Sequence, residues 1–197
     1  MGAPIVELVI PKGKTFEFAL RYASGKQVSR EVEGIPSLVP VRITVPNHGI
    51  PDGWPFKVDC VQRPFEVNGS YVATVVDPDT IEINDLIGQC WRHKYSGGGV
   101  IQYPLPADID GGTARAMFRR TIRDEEPLLT FTTEPVADGL FLVDPAESTF
   151  TLSLTAERAE TLPVVSGVWD AEAVDPDGRV YPLVGVSPFR VSNEVTR

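Results

Sequence analysis

Proline and glycine punctuation is the feature that most limits what this chain can become. Its 18 prolines and 17 glycines are spread along all 197 residues, between short runs rich in Val, Ile, Thr, Phe and Tyr. Proline removes a backbone donor and fixes φ, so a chain interrupted this often cannot sustain long helices, whereas short strands joined by turns tolerate it. One segment reads as helix, Ala156-Glu157-Arg158-Ala159-Glu160-Thr161, and Pro163 limits it to a turn or two. The expected class is therefore all-β.

The alternation within the runs supports this. Phe16, Phe18 and Leu20 alternate with Glu17, Ala19 and Arg21, as a half-buried strand requires. Extended segments are expected at 5–10, 15–22, 113–123, 128–132, 140–143, 149–154 and 167–174. A closing hairpin joins 168–173 to 180–185 through Asp175-Pro176-Asp177-Gly178, where proline pre-sets φ and glycine permits a left-handed position.

Between these outer parts the spacing of turns tightens. Pro46-Asn47-His48-Gly49, Pro51-Asp52-Gly53, Val67-Asn68-Gly69 and Asp77-Pro78-Asp79 cut the chain into strands of about five residues, the texture of a small barrel. The pattern changes after Ser24-Gly25-Lys26. It ends near Tyr95-Ser96-Gly97-Gly98-Gly99, after which 100–103 reads as an exit strand and Pro104 and Pro106 as a linker. A sandwich made from the C-terminal part alone would lack a first strand, so 15–22 is its expected partner. The organisation is then a β-sandwich in two pieces, 1–32 and 105–197, with a small β-barrel inserted at 33–104.

Charge and composition narrow the partners. With 42% hydrophobic and 23% charged residues the chain has the balance of a folded globular protein. Its 27 acidic against 18 basic side chains give a net charge of -9, which disfavours nucleic acid because counterion release offers an acidic surface little. The N-terminal MGAPIVELVIPKGK has no basic leader followed by a long apolar run, and no stretch reaches the roughly 20 apolar residues of a membrane span. The expectation is a protein made in a cytoplasm, without signal peptide or membrane segment. Cys60 and Cys90 are too few for a disulfide framework and are expected as buried thiols.

Two resemblances lie on these blocks. The outer parts resemble the immunoglobulin-like N-terminal domain of phage upper-baseplate proteins. The similarity runs through Lys12-Gly13-Lys14-Thr15-Phe16, the segment from Ile109 to Arg119 (IDGGTARAMFR), Leu152 to Glu157 (LSLTAE) and Ser166 to Glu172 (SGVWDAE) before the Asp-Pro-Asp-Gly turn. It closes with Phe189 to Arg197 (FRVSNEVTR). The inserted block is similar to a small β-barrel module of phage tail proteins that has been likened to a half-domain of the ubiquitin-activating enzyme. Here the motif reads Val41 to Ile50 (VRITVPNHGI) with Asp52-Gly53, then Val67 to Ala73 (VNGSYVA), Asp79 to Ile83 (DTIEI) and Tyr95 to Gly99 (YSGGG). Residues 58–66 lack the glycine-rich turn usual before the Asn-Gly, so a different loop shape is expected. The resemblance implies a virion part at the tail, baseplate or neck, made in the host bacterial cytoplasm, that contacts other phage structural proteins and copies of itself and seats a fibre or appendage. It implies no catalysis and no cofactor.

Both histidines and both cysteines, His48, Cys60, Cys90 and His93, fall in the insert, which permits a Cys2His2 zinc site, but only Cys90-x-x-His93 has a usable half-spacing. Turn-making accounts for His48, and no metal is assigned. No nucleophile has a local base, and the acid pairs Asp77/Asp79 and Asp175/Asp177 flank prolines in turns, so no catalytic residue is assigned. Arg115, Arg119, Arg120 and Arg123 form a basic cluster in an acidic chain, with Arg115 and Arg119 on one strand face. That face is either solvated or a contact to an acidic neighbour. Trp169 is expected in the core. Trp54, after Asp52-Gly53, and Trp91 are candidates for exposure and recognition, with Arg115, Arg119 and Arg123 completing the possible interface. An exposed aromatic platform at Trp54 or Trp91 would favour the alternative function, recognition of host glycans.

Overall fold

The computed structural model describes residues 3–134 and 138–193. Residues 194–197, the end of the closing motif, and the first two residues of the N-terminal segment lie outside the described residues. In chain order the strands are β1 (Leu8–Pro11), β2 (Phe16–Arg21), β3 (Ala23–Glu31), β4 (Gly34–Leu38), β5 (Val41–Thr44) and β6 (Pro55–Val61). There follow β7 (Gly69–Val72), β8 (Thr74–Asp77), β9 (Thr80–Ile83), β10 (Gly98–Pro106) and β11 (Thr113–Arg119). The remainder are β12 (Leu129–Thr132), β13 (Gly139–Asp144), β14 (Thr149–Leu154), β15 (Ser166–Val174) and β16 (Val180–Ser192), with the helix α1 (Ala156–Thr161) between β14 and β15. The fold is all-β, and among the described residues no helix is long and apolar enough to cross a membrane.

The chain divides into two compact units, one formed by the residues up to Tyr22 with those from Asp108 onward, the other by Ala23–Ala107. The boundary at 33 therefore moves out by ten residues. β3 holds few apolar side chains, which is why Ser24-Gly25-Lys26 reads as a turn, yet it pairs antiparallel along β10 from Val100↔Glu31 to Pro106↔Ala23. The prolines that read as a linker lie inside β10. They are tolerated because β6 pairs β10 only as far as Gln102↔Lys57, so Pro104 and Pro106 occupy the part of the strand with one neighbour.

In the first unit the strand order is β1-β16-β15-β11-β12-β13-β14-β2. β1 and β2 stand at opposite ends, although only residues 12–15 separate them. A flat sheet of that width would put its edges about 34 Å apart, while five chain steps reach at most about 18 Å. The sheet must therefore curl onto itself. Cut at the short parallel contact of β12 with β13, Phe131↔Gly139 and Thr132↔Leu140, the order becomes β1-β16-β15-β11-β12 facing β13-β14-β2. This is the C-F-G and B-E-D arrangement of an immunoglobulin-like sandwich, with β12 as an added strand beside C.

Aromatic rings fill the fold. Phe118 stacks on Trp169 at 5.2 Å between ring centres and meets Phe189 at 5.0 Å and Phe131 at 5.5 Å. Phe18 of β2 reaches the Trp169 edge at 6.4 Å, joining the two halves. Two strands differ in length from the sequence reading. The strand expected at 113–123 stops at Arg119, where a turn through Asp124 begins, and β16 continues past residue 185 to Ser192, where its last residues pair in parallel with β1.

In the second unit the sheets β3-β10-β6-β7 and β4-β5-β9-β8 share both edges. Val32 and Glu33 carry β3 into β4, and Ala73 alone carries β7 into β8. With both margins joined, the two sheets close as a small barrel around Val41, Ile43, Val58, Ile81, Ile83 and Ile101. The loop lacking its glycine has its own solution. Cys60 takes the left-handed conformation, φ 61°, and residues Phe65–Val67 form a single 3-10 turn. Past this kink the Asn68 side chain stands in for a strand neighbour, accepting from the Val61 N–H at 2.9 Å and donating to the Val61 carbonyl at 3.0 Å.

Candidate interaction face

β11 alternates strictly, burying Ala114, Ala116 and Phe118 and turning Thr113, Arg115, Met117 and Arg119 outward. Its neighbour β15 does the same, burying Trp169, Ala171 and Ala173. The pairing sets Arg115 level with Glu172, Met117 with Asp170, and Arg119 with Val168. A basic column, Arg115 and Arg119, thus stands beside an acidic one, Glu172 and Asp170, with Met117 level with Asp170 and Val168 level with Arg119. Arg115 Nε donates to Glu172 Oε1 across the strands; both side chains are substantially exposed, so the pair is worth little to stability.

The candidate arginines have different roles. The Arg119 guanidinium donates to the carbonyls of Asp124 and Glu125, each at 2.6 Å, and its other amino group lies 3.2 Å from Met117 Sδ. It anchors the turn after β11 and holds its charge in a fixed place. Arg123 is exposed on that turn. Arg120 leaves the strand and is exposed too.

Beside Arg119 a hollow of about 120 Å³ is walled by Met117, Ile122, Val168 and Val186. Ile122 is 71% and Val186 52% exposed. A second hollow, about 190 Å³, lies among Arg115, Met117, Asp170 and Glu172. Further along, Thr113, Thr130, Thr132 and Glu134 border an open cleft of about 550 Å³ that also reaches Arg115 and Val174.

Asp124 secures the same turn by accepting from the Thr121 N–H at 3.0 Å and hydroxyl at 2.9 Å. The Thr121 hydroxyl, then its N–H, hold the Asp124 carboxyl below the usual aspartate range, with Arg120 assisting. A depressed carboxylate contributes its stabilisation above its ordinary range and loses it only as pH falls through the lowered value. In an NMR titration Asp124 should therefore protonate at lower pH than an ordinary aspartate, and Thr121→Val should raise its midpoint. An unshifted midpoint in the parent would refute the bonded turn.

Several expectations are corrected. Trp54 is not exposed: it is 1% accessible and its Nε1 donates to the Pro104 carbonyl at 2.8 Å. The corner at Ala73 turns it inward, with Gly53 N–H bonded to the Ala73 carbonyl and Ala73 N–H to the Trp54 carbonyl. Trp91 is half-buried against the barrel core and lies over Gly88, where any Cβ would collide with its ring. These two rings form no exposed platform. Cys60 and Cys90 are exposed rather than buried, Cys60 because the left-handed kink turns it out of β6.

His48 is buried and locally bonded. Its Nδ1 accepts from the Ile50 N–H at 3.1 Å and its Nε2 donates to the Asp77 carbonyl at 3.0 Å. Both ring nitrogens are thus committed, while His93 is exposed and lies 3.4 Å from Arg63. Among the described residues no group of three or more His, Cys, Asp or Glu side chains could hold a metal. Asp77, Asp79 and Asp175 serve their turns, accepting from the backbone N–H groups of Asp79, Asn47 and Arg179 respectively.

Met117, Ile122, Val168, Asp170, Glu172 and Val186 were not singled out from sequence. The signal was present as Arg-x-Met-x-Arg at 115–119 and Val-x-Asp-x-Glu at 168–172. What makes a face of them is a strand register between residues 57 positions apart. No protein-family model matches this chain, and no curated protein matches it.

Proposed function

We propose that this chain is a non-enzymatic structural part of a tailed-phage virion, at the tail, baseplate or neck. It acts as an adaptor: the sandwich docks on a ring assembly and the barrel helps to seat a fibre or appendage. The observation that carries the reading is the outward face of β11 and β15. One pair of opposite charges set level, Arg115 with Glu172, beside Asp170 and Arg119 opposite the apolar Met117 and Val168 and flanked by exposed Ile122 and Val186, has the composition of a protein contact, in which charge fixes register and apolar side chains supply burial. The particle is suggested by the resemblance of the outer segments to upper-baseplate domains and of the insert to a barrel module of phage tail proteins.

The rival reading, a carbohydrate-binding receptor module, loses its aromatic platform with the burial of Trp54. Mass spectrometry of gradient-purified virions should detect the chain at a fixed ratio to other structural proteins. A phage deleted for it should make particles without the appendage. Absence of the chain from purified particles would overturn the reading.

A further inference from the structure

We propose that the outward face of β11 and β15 is a two-fold contact with a second copy of this chain. The proposal deepens the adaptor reading, on which it rests for the idea that this face meets protein, by naming the partner. Its argument is geometric. Two sheets stacked face to face lie about 10 Å apart with their strands nearly aligned. Two in-plane two-fold axes can relate such copies.

An axis across the strands at Met117 would lay β11 on β11 in reverse and set Arg115 on Arg119, like charge on like charge. An axis along the strands, midway between β11 and β15, lays β11 of one copy on β15 of the other and keeps every level. Because Arg115 and Glu172 share a level within one chain, that axis sets Arg115 of each copy opposite Glu172 of the other. The two internal pairs become one alternating group of four charges.

Other residues on the face follow the same operation. Asp170 shares a level with Met117, so it faces the copy's β11 between the levels of Arg115 and Arg119, within reach of both long side chains. The hollow walled by Met117, Ile122, Val168 and Val186 takes residues from both β11 and β15. Its Met117 and Val168 therefore lie near the axis, while Val186, on β16 beyond β15, faces the copy's β12. A net charge of -9 repels copies at long range; this basic column is where that repulsion is locally reversed.

The test uses the full chain in sedimentation equilibrium across protein concentration. The parent should dimerise, and added salt should weaken the dimer. Arg115→Glu and Glu172→Arg should each weaken association at least about tenfold, because each converts the alternating group into four like charges. The double exchange R115E/E172R restores alternation and should restore the dimer. Met117→Glu, at a half-buried surface position, sets a carboxylate opposite the copy's Asp170 and should also break it, with circular dichroism confirming that each variant is folded.

A chain monomeric at every concentration would overturn the proposal, as would single exchanges that leave association unchanged or a double exchange that fails to rescue it. A monomeric chain still present in virions would sink the two-fold contact and leave the adaptor reading standing. A dimer missing from virions would do the reverse.

Discussion

Removal of residues 23–107, with Tyr22 joined to Asp108 through a short Gly-Ser bridge, is expected to leave a folded sandwich. All eight strands of that sheet lie outside the deleted segment. The ends to be joined are close, because Ala23, next inside the first cut, and Pro106, one residue further in from the second, are strand partners and so sit about 5 Å apart. A bridge of a few residues closes such a gap at little entropic cost. The remainder, roughly 110 residues, is an ordinary domain size.

Deletion of 33–104, the boundary read from sequence, should behave differently. It removes all of β10 but Leu105 and Pro106 and leaves nearly the whole of β3 without its partner, so the amides of 24–32 should exchange with solvent as fast as in an unfolded peptide. An unpaired strand of this length also invites intermolecular pairing, and this variant should aggregate more readily. Near-UV circular dichroism and hydrogen exchange separate the two outcomes. Loss of the sandwich signal on clean removal of 23–107 would refute the two-unit plan.

That contrast shows which parts of the fold were legible. Segments with strong alternation or strong turn chemistry were read nearly to the residue: Thr149–Leu154, the helix Ala156–Thr161 capped by Thr155 accepting from the Arg158 N–H, and the hairpin at 175–178. β3 was not, because Val28 is its one large apolar side chain and its strand state is imposed by pairing with β10, which no local pattern reports. The prolines of β10 misled for a related reason, since their tolerance depends on where β6 ends. Trp54 and Cys60 show a third limit. At Trp54 a turn motif reveals that the chain bends but not which side chain the bend turns inward, and at Cys60 no motif marks the kink that turns the thiol outward. At the candidate face, the alternation that exposes Arg115 and Arg119 was readable, whereas the acidic column beside them depends on a long-range register.

Trp169→Ala is expected to cost about 3–5 kcal/mol, the largest loss from any single substitution considered in the sandwich. The ring is 1% exposed, stacks on Phe118 at 5.2 Å and meets Phe18 at 6.4 Å, so it ties β15 to β11 and to β2 of the opposite half. Its Nε1 also donates to the Val6 carbonyl at 2.9 Å, fixing the segment that leads into β1. Deleting the ring therefore opens a cavity at the join of the two halves and removes one of the bonds that hold the segment leading into β1. Set against the roughly 5–15 kcal/mol that holds a typical domain, the loss should leave a substantial unfolded population under mild denaturation. Trp169→Phe keeps most of the stacking and loses the hydrogen bond, and should cost about 1–3 kcal/mol, since the Val6 carbonyl is left without its donor. Urea denaturation measures both. Hydrogen exchange should locate the damage, with protection falling across β1, β15 and β16 while amides of the barrel core such as Ile43 and Ile81 keep theirs. A Trp169→Ala variant less than about 1 kcal/mol below the parent would mean that this ring does not join the two halves of the sandwich.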